Sequence, residues 1–181
     1  MASSRTTLPD YVDSGLRVLS VGLNPSVPSV RAGFYFANPR NRFWKAFGES
    51  GLAESQGEPS RLRHQILLKQ DRIGFTDVVK RPSRQGHELR AEDFRRDAPR
   101  LLRLIEKVRP AWAWFHGKQA YRHFLKYALD ASPKEIRWGM QPRVIGGARV
   151  YVTPNPSPAN AAYSLSDLQC WYRRLARHVN A

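Results

Sequence analysis

Cysteine is nearly absent from this chain, and its absence excludes several classes of protein. Cys170 is the single cysteine among 181 residues, so no internal disulfide and no zinc or iron–sulfur site with several cysteine ligands can form. No apolar run approaches the roughly 20 residues needed to cross a bilayer, and the N-terminus lacks the apolar core of a signal peptide. We therefore expect a protein of the reducing cytoplasm that does not contact membranes.

Acidic residues are also scarce. Fifteen Asp and Glu stand against 30 Lys and Arg, which gives a formal net charge of +15 and a pI near 10.7. A field of that sign concentrates polyanions at the surface and favours nucleic acid as the partner. The alternatives at this point are a chain made basic for solubility and a ribosome-associated protein.

The chain contains enough apolar bulk for one folded core. Hydrophobic residues make up 41% of the sequence, with eight Phe, seven Tyr and five Trp, and this composition is typical of a globular protein. We expect residues 1–15 to form a flexible N-terminal segment and residues 16–181 to form a single domain.

Strand-like and helix-like segments alternate along the domain. Apolar runs predict strands at Leu16–Leu23, Ile73–Val79 and Ala111–His116, and a hairpin within Arg143–Val152 that turns at Gly146-Gly147. Helices are predicted at Asn41–Gly51, Pro59–Gln70, Ala91–Val108, from Gly117 to about Leu129, and Ser164–Val179. The alternation indicates the α/β fold class, a sandwich with a mostly parallel central sheet.

Two loops of unusual composition follow predicted strands. The first spans Gly22–Pro39 and the second Pro154–Asn160, and ligands of parallel sheets bind beyond the carboxyl ends of the strands. Asn24 lies in the first loop, where its amide could hold a water or contact the edge of a base. The alternative is a turn in which Asn24 caps its own backbone.

The first loop also contains aromatic residues. An aromatic ring stacked on a nucleobase contributes about 1–3 kcal/mol. Phe43 and Trp44 are at helical spacing and belong in a core, whereas Phe34 and Phe36 lie outside any predicted helix. Those two residues are therefore the candidates for stacking on a base.

Asp77 follows the apolar run of the second predicted strand. Desolvation there could raise the pKa of its carboxyl enough for general-base catalysis. The alternative is a structural role, either in a turn or as an ionic partner of Lys80 or Arg81.

The second loop contains three prolines, which make its tip rigid. Ser157 and the neighbouring backbone amides are suited to contact phosphate. By itself such a loop indicates little, and its significance depends on the pairing with the Gly-Leu-Asn-Pro loop.

Together these segments resemble the mismatch-specific uracil/thymine DNA glycosylases, one branch of the uracil-DNA glycosylase superfamily. The resemblance extends from about Leu16 to the last helix. Its motifs occur in the family's order: Gly22-Leu23-Asn24-Pro25, Gly33–Trp44 with Asn41-Arg42-Phe43-Trp44-Lys45, Ile73–Val79, Gly117-Lys118-Gln119-Ala120-Tyr121, Trp138-Gly139-Met140-Gln141-Pro142, and Asn155-Pro156-Ser157.

The resemblance implies a three-layer α/β/α sandwich, no cofactor or metal, and a base flipped out of the duplex into a pocket. It implies that Asn24 orients the attacking water and that Phe36 stacks on the base. Asn155 and Ser157 would lie in the loop that contacts the pocket and the DNA backbone.

The sequence departs from the family pattern at three places. The second-motif tip is Pro158-Ala159-Asn160-Ala161, without the bulky wedge residue and the Arg usual there, so the sequence gives little support for reading of the opposite guanine. Asp77 resembles the subset of members with a stronger base. The first motif ends in Ser26 where Gly is usual.

We therefore predict a monofunctional DNA glycosylase for uracil or a related damaged base, monomeric and associated with a bacterial nucleoid. Catalysis is assigned to Asn24 and Asp77, with backbone amides near Leu23 stabilising the negative charge on the leaving base. The alternatives are a catalytically inactive DNA-binding module and an RNA-binding protein. The remaining assignments are base contacts by Leu23, Ser26, Phe36 and Asn155, and DNA contacts by Ser157, Pro158, Ala159, Asn160, Arg42 and Lys118.

Overall fold

A five-stranded sheet forms the centre of the computed structural model, which describes residues 6–181. The strand order is β2-β1-β3-β5-β4. Strands β2, β1, β3 and β5 are parallel to one another, and β4 pairs antiparallel with β5 at one edge of the sheet. The strands are β1 (Val18–Gly22), β2 (Ile73–Asp77), β3 (Trp112–His116), β4 (Gly139–Met140) and β5 (Arg149–Thr153).

Helices cover both faces of this sheet. Residues of α4 and α5 join the apolar cluster on one face, and residues of α2 and α6 join the largely aromatic cluster on the other. The predicted α/β/α sandwich with a mostly parallel sheet is thus confirmed. The helices are α1 (Val27–Ala32), α2 (Phe43–Gly48), α3 (Arg61–Ile66, continued by a π-helical segment Leu67–Asp71), α4 (Ala91–Val108), α5 (Lys118–Leu129) and α6 (Leu165–Val179).

The alternation of side chains along the strands explains this layering. In β1 the side chains of Leu19 and Val21 enter the first cluster, while Val18 enters the aromatic one. Successive residues of a strand point to opposite faces, so both faces of a covered sheet must be apolar. Gly22 falls on the aromatic face, at the carboxyl end of β1 and in register with Asp77.

A short helix lies inside the segment predicted as loop between Asn24 and Arg40. Helix α1 is capped by Ser26, whose side chain accepts a hydrogen bond from Ser29 N, and Pro28 lies in its first turn. A Ser cap followed by an early Pro is a helix-start signal. The prediction of a continuous loop was therefore wrong there. It was based on the frequency of Pro and Ser in the segment and did not consider their order.

The predicted hairpin at Gly146-Gly147 is only partly present. Ile145 and Ala148 pair across that turn, but β5 pairs in parallel with β3 and its antiparallel neighbour is β4. The assignment of the partner strand was wrong because Gly139–Met140 is too short to show a period of two.

Part of the N-terminal segment that precedes residue 16 packs against the sheet. Leu8 is fully buried, and Tyr11 exchanges both backbone hydrogen bonds with Phe75 at 2.8 and 2.9 Å. Residues 1–5 of the predicted flexible segment lie outside the described residues. Within residues 6–181, no helix combines the length and apolar character needed to span a membrane.

Candidate active site at the carboxyl ends of the strands

A pocket of about 600 Å³ opens beyond the carboxyl ends of the central parallel strands. Both loops singled out from the sequence line it, through residues of Gly22–Ser26 and of 155–160. Residues 116–120, at the junction of β3 and α5, also line it and include the predicted DNA contact Lys118, and residues 83–87, which follow β2, line it although the sequence did not indicate them. These four segments, together with Asp77 at the end of β2 and Phe36 from the first loop, build most of the site.

Gly22 makes room for the carboxyl of Asp77 at the inner end of the pocket. A Cβ added to Gly22 would lie 2.4 Å from Asp77 Oδ1, so any larger residue would displace the carboxyl. Asp77 is only 3% exposed, and its Oδ2 has no hydrogen-bond partner in the described part of the chain. Burial raises the pKa of Asp77 to about 7, against a smaller lowering by Lys80.

The two cations that the sequence offered as partners of Asp77 are engaged elsewhere. Lys80 Nζ forms a salt bridge with Asp10 Oδ1 at 2.8 Å, and Arg81 forms one with Asp93 at 2.8 Å. The carboxyl of Asp77 is therefore buried without the ion pair that usually justifies burying a charge. Such an uncompensated carboxyl in a cleft is typical of a functional site.

Asn24 connects the first-motif loop to the segment after β2. Its Nδ2 donates to Arg81 O at 3.0 Å and to Ser83 Oγ at 2.7 Å. Because one acceptor is a carbonyl, this end of the side chain must be the amide nitrogen. The orientation leaves Asn24 Oδ1 as the acceptor available on this wall of the pocket.

Phe36 is held in a strained conformation on the pocket wall. Its φ is 58°, which is unfavourable for a bulky side chain and is found where surrounding structure enforces it. One face of its ring stacks on Phe43, with centroids 4.1 Å apart and planes at 18°. A base in the pocket would therefore meet a ring that is already backed and fixed.

His116 lies on the same wall and was not recognised as a site residue from the sequence. It is 2% exposed, its Nε2 is 2.8 Å from Ser20 Oγ, and its Nδ1 has no partner among residues 6–181. Burial lowers the pKa of His116 to about 3, so the imidazole is neutral. A polar residue ending an apolar strand immediately before Gly117 was the signal that could have identified it.

Arg42 holds the second-motif loop. Its guanidinium donates to Ser157 O and Asn160 O at 2.9 Å, to Pro156 O at 3.4 Å, and to Tyr163 O. Four of its five N–H donors are used on backbone carbonyls. These contacts give Arg42 a structural role, in which it shapes the loop at 156–163, and leave one N–H donor for the predicted phosphate contact.

Replacement of Arg42 tests this role. Arg42→Lys keeps the charge but loses the planar fork of donors, so we expect a loss of about 1–3 kcal/mol in the free energy of unfolding. Urea unfolding of the variant measures it, with Arg40→Lys at an exposed neighbouring site as the control. If Arg42→Lys leaves stability intact and lowers only DNA affinity, the holding role is refuted.

Other predicted base-contact residues surround the pocket in different ways. Leu23 and Ser26 line it, but the side chain of Ser26 caps α1. Asn155 accepts a hydrogen bond from Ser157 N at 2.9 Å through Oδ1, which leaves its Nδ2 as the group that could contact a ligand.

The predicted DNA-contact residues lie on the outer rim. Pro158 and Ala159 are exposed at the tip of the second-motif loop, while Ser157 Oγ accepts from Ala159 N and Asn160 Nδ2 donates to Asn155 O. Lys118 is 4.5 Å above the ring of Trp138. These contacts stiffen the rim without supplying a bulky wedge.

The segment at 83–87 forms the opposite rim. Arg84 and His87 are exposed there, and Ser83 N donates to Pro25 O at 3.2 Å. A Cβ on Gly86 would lie 2.8 Å from Leu23 Cδ2, so glycine allows this rim to pack on the first-motif loop. Arg84 thus presents an exposed guanidinium on a segment that lines the pocket.

Comparison with known proteins identifies the class of this fold and site. The family model described as the uracil DNA glycosylase superfamily matches residues 9–178. The chain therefore belongs to the uracil DNA glycosylase superfamily. It is also similar to the solution NMR structure of a candidate uracil DNA glycosylase from Methanosarcina acetivorans, with 24% identity, a TM-score of 0.65, and coverage of 98% of this chain and 99% of that one.

Proposed function

We propose that this protein is a monofunctional DNA glycosylase that hydrolyses the N-glycosidic bond of uracil or a related deaminated base flipped out of DNA. The observation that carries the proposal is the buried, unpaired carboxyl of Asp77 beside Gly22, in the same pocket as Asn24 and Phe36. Within the superfamily, the motif order favours the mismatch-specific uracil/thymine branch. Excision repair of deaminated bases is the process it would serve.

The proposed reaction needs only the chain's own groups and water. The water oxygen bonds to C1′ as the N-glycosidic bond breaks, and the electron pair of that bond leaves with the base. Ionised Asp77 accepts one proton of the water, while Asn24 Oδ1 accepts a hydrogen bond from the other. The ionised carboxyl also stabilises the positive charge that develops on the sugar, and fixed dipoles around the base stabilise its negative charge.

DNA binding is assigned to the two rims. Arg84 follows β2 and Lys118 follows β3, the two strands that flank β1, and cations in these places can neutralise phosphates on either side of a flipped nucleotide. Because Pro158, Ala159 and Asn160 are small, the tip fills little of the space that the flipped base leaves. We therefore expect weak dependence on the opposite base.

Asn24 provides a test of the water-positioning step. Asn24→Ala removes both the acceptor Oδ1 and the amide link to Ser83, so we expect a fall of about 10²-fold in the single-turnover rate of base release. Ser83→Ala is the matched control, because it removes a partner of the link and keeps Oδ1. Equal losses in the two variants would assign Asn24 to loop structure alone.

The activity is tested on end-labelled oligonucleotides that contain one altered base. The set is U opposite G, U opposite A, single-stranded U, T opposite G, and hypoxanthine, each with and without hot alkali. We expect breakage that depends on alkali, because a monofunctional enzyme leaves an abasic site. Breakage without alkali would indicate a lyase step and contradict the monofunctional mechanism.

A non-catalytic DNA-binding module is the second candidate, and the small tip at 158–161 is the observation in its favour. Such a module would bind these oligonucleotides without releasing any base. The unpaired carboxyl of Asp77 argues against it, because a buried charge without function would be replaced at a gain in stability.

A further inference from the structure

The wall of the pocket contains a second buried polar atom that the mechanism above does not use. His116 Nδ1 is buried without a hydrogen-bond partner among the described residues, although His116 lines the pocket. A buried polar atom without a partner costs about 1–3 kcal/mol. An unpaired atom beside an open cavity is explained most simply by a ligand that supplies the missing partner.

The imidazole cannot turn away from this position. Its ring is enclosed by four aromatic side chains, with centroid distances between 4.3 and 6.3 Å: Phe36, Phe43, Trp114 and Tyr172. Its Nε2 is fixed by Ser20 Oγ at 2.8 Å. The direction of the Nδ1 atom is therefore set before any ligand arrives.

The contact with Ser20 favours one of the two neutral tautomers of His116. Ser20 Oγ forms no other hydrogen bond within residues 6–181, so its hydroxyl proton has only His116 Nε2 as an acceptor. A neutral imidazole that accepts at Nε2 has its proton on Nδ1. Because burial lowers the pKa of His116 to about 3, the ring stays neutral and has one unpaired N–H, on a residue that lines the pocket.

We propose that His116 is a specificity-determining residue whose Nδ1–H donates a hydrogen bond to a carbonyl oxygen of the flipped base, with Ser20 as its positioning residue. The proposal rests on the proposed function and adds the chemical class of base that fits. Deamination replaces an exocyclic amino group by a carbonyl oxygen. An N–H donor pairs with that oxygen and leaves an amino group in the same place unpaired, so it selects against the undamaged base.

Thiocarbonyl substrates test the contact atom by atom. Sulfur is a weaker hydrogen-bond acceptor than oxygen. We therefore expect that one of the two analogues, 2-thiouracil or 4-thiouracil, is released by the wild-type enzyme about tenfold more slowly than uracil, namely the one whose sulfur replaces the contacted oxygen. In His116→Leu the same replacement is expected to change the rate less than twofold relative to uracil. The ratio between the two enzymes cancels the intrinsic reactivity of each base. Hypoxanthine and 6-thiohypoxanthine are compared in the same way.

Two further variants separate the contact from a loss of packing. His116→Asn keeps an N–H donor on Cγ, where Nδ1 is attached, and is expected to restore part of the oxygen preference. The double variant Ser20→Ala, His116→Leu removes both partners of the buried hydrogen bond, and so avoids leaving a lone hydroxyl. We expect the double variant to fold and to lack the preference. An oxygen preference that is undiminished in both Leu variants would overturn the proposal.

The protonation of the ring is measured without activity, by long-range ¹H–¹⁵N NMR on protein labelled at histidine nitrogen. We expect protonated Nδ1 and unprotonated Nε2 at His116, a shift of Nδ1 when uracil or hypoxanthine is added as the free base, and a mixture of tautomers in Ser20→Ala. The His116→Asn spectrum assigns the signal. A ring with its proton on Nε2, or one unaffected by either base, would refute the proposal.

The two sets of results distinguish the proposal from the function on which it rests. If no base is released from any DNA, the glycosylase function fails, and the NMR result alone decides whether His116 donates to a base. If bases are released with equal thio effects in wild type and His116→Leu, the function stands and the role of His116 fails.

Discussion

Asp77→Asn is expected to lower the single-turnover rate of base release by about 10²- to 10⁴-fold at pH 8, with DNA affinity nearly unchanged. Asn has almost the same shape as Asp but cannot accept a proton, so the change removes general-base catalysis. Asp77 is buried at the inner end of the pocket, away from the rims assigned to DNA. A rate equal to wild type would remove Asp77 from the mechanism.

The pH dependence of the rate of base release provides a second test of Asp77 as the general base. Burial raises the pKa of Asp77 to about 7, and only the ionised carboxyl accepts a proton. The wild-type rate should therefore rise as pH increases through about 7 and level off above it, while the residual rate of Asp77→Asn should not follow this titration. Asp13→Asn is the control, because Asp13 is an exposed carboxyl paired with Lys69, and it should keep the wild-type profile.

The same substitution is expected to stabilise the fold at pH 8. The pKa of Asp77 is about 7 in the folded protein against an ordinary value of 3.8 for an aspartate, so between those values the folded state binds more protons than the unfolded one. Stability from this group is therefore fully present below about pH 4 and is lost as pH rises to about 7. The full shift corresponds to about 4 kcal/mol.

Urea unfolding of wild type and Asp77→Asn at pH 4.5 and pH 8 measures this linkage. We expect the variant to gain on the order of 2–4 kcal/mol at pH 8 and much less at pH 4.5. Asp13→Asn should show no such gain, because Lys69 lowers the pKa of Asp13. A difference between wild type and Asp77→Asn that is the same at both pH values would show that Asp77 is not a destabilised buried carboxyl.

Much of the fold could be predicted because its signals are local. Helix α4 has the predicted bounds, Ala91–Val108, since a long amphipathic stripe and a following strand leave little freedom. The parallel order follows from alternating strands and helices. The pairing of β4 with β5 could not be predicted, because two residues at Gly139–Met140 contain no periodicity.

The location of the site could be predicted from the sequence, but the roles of several of its residues could not. The loops after β1 and β5 were indicated by their composition and by the carboxyl ends of the strands. The charge of Arg42 could not show that its donors are used by the carbonyls of one loop. Asp77 Oδ2 and His116 Nδ1 are buried without hydrogen-bond partners in the described part of the chain. This could not be predicted from the sequence, because it depends on which side chains the tertiary structure brings near each atom.

The most direct test of the central claim is to follow both products from a duplex that contains one uracil opposite guanine. With enzyme in excess, mass spectrometry should detect free uracil and an unbroken abasic strand in equal amounts, and hypoxanthine-containing duplex should be run in parallel. Equal yields of free base and intact abasic strand are the predicted result. Tight binding to these duplexes with no base released from either would contradict the claim and favour the DNA-binding module.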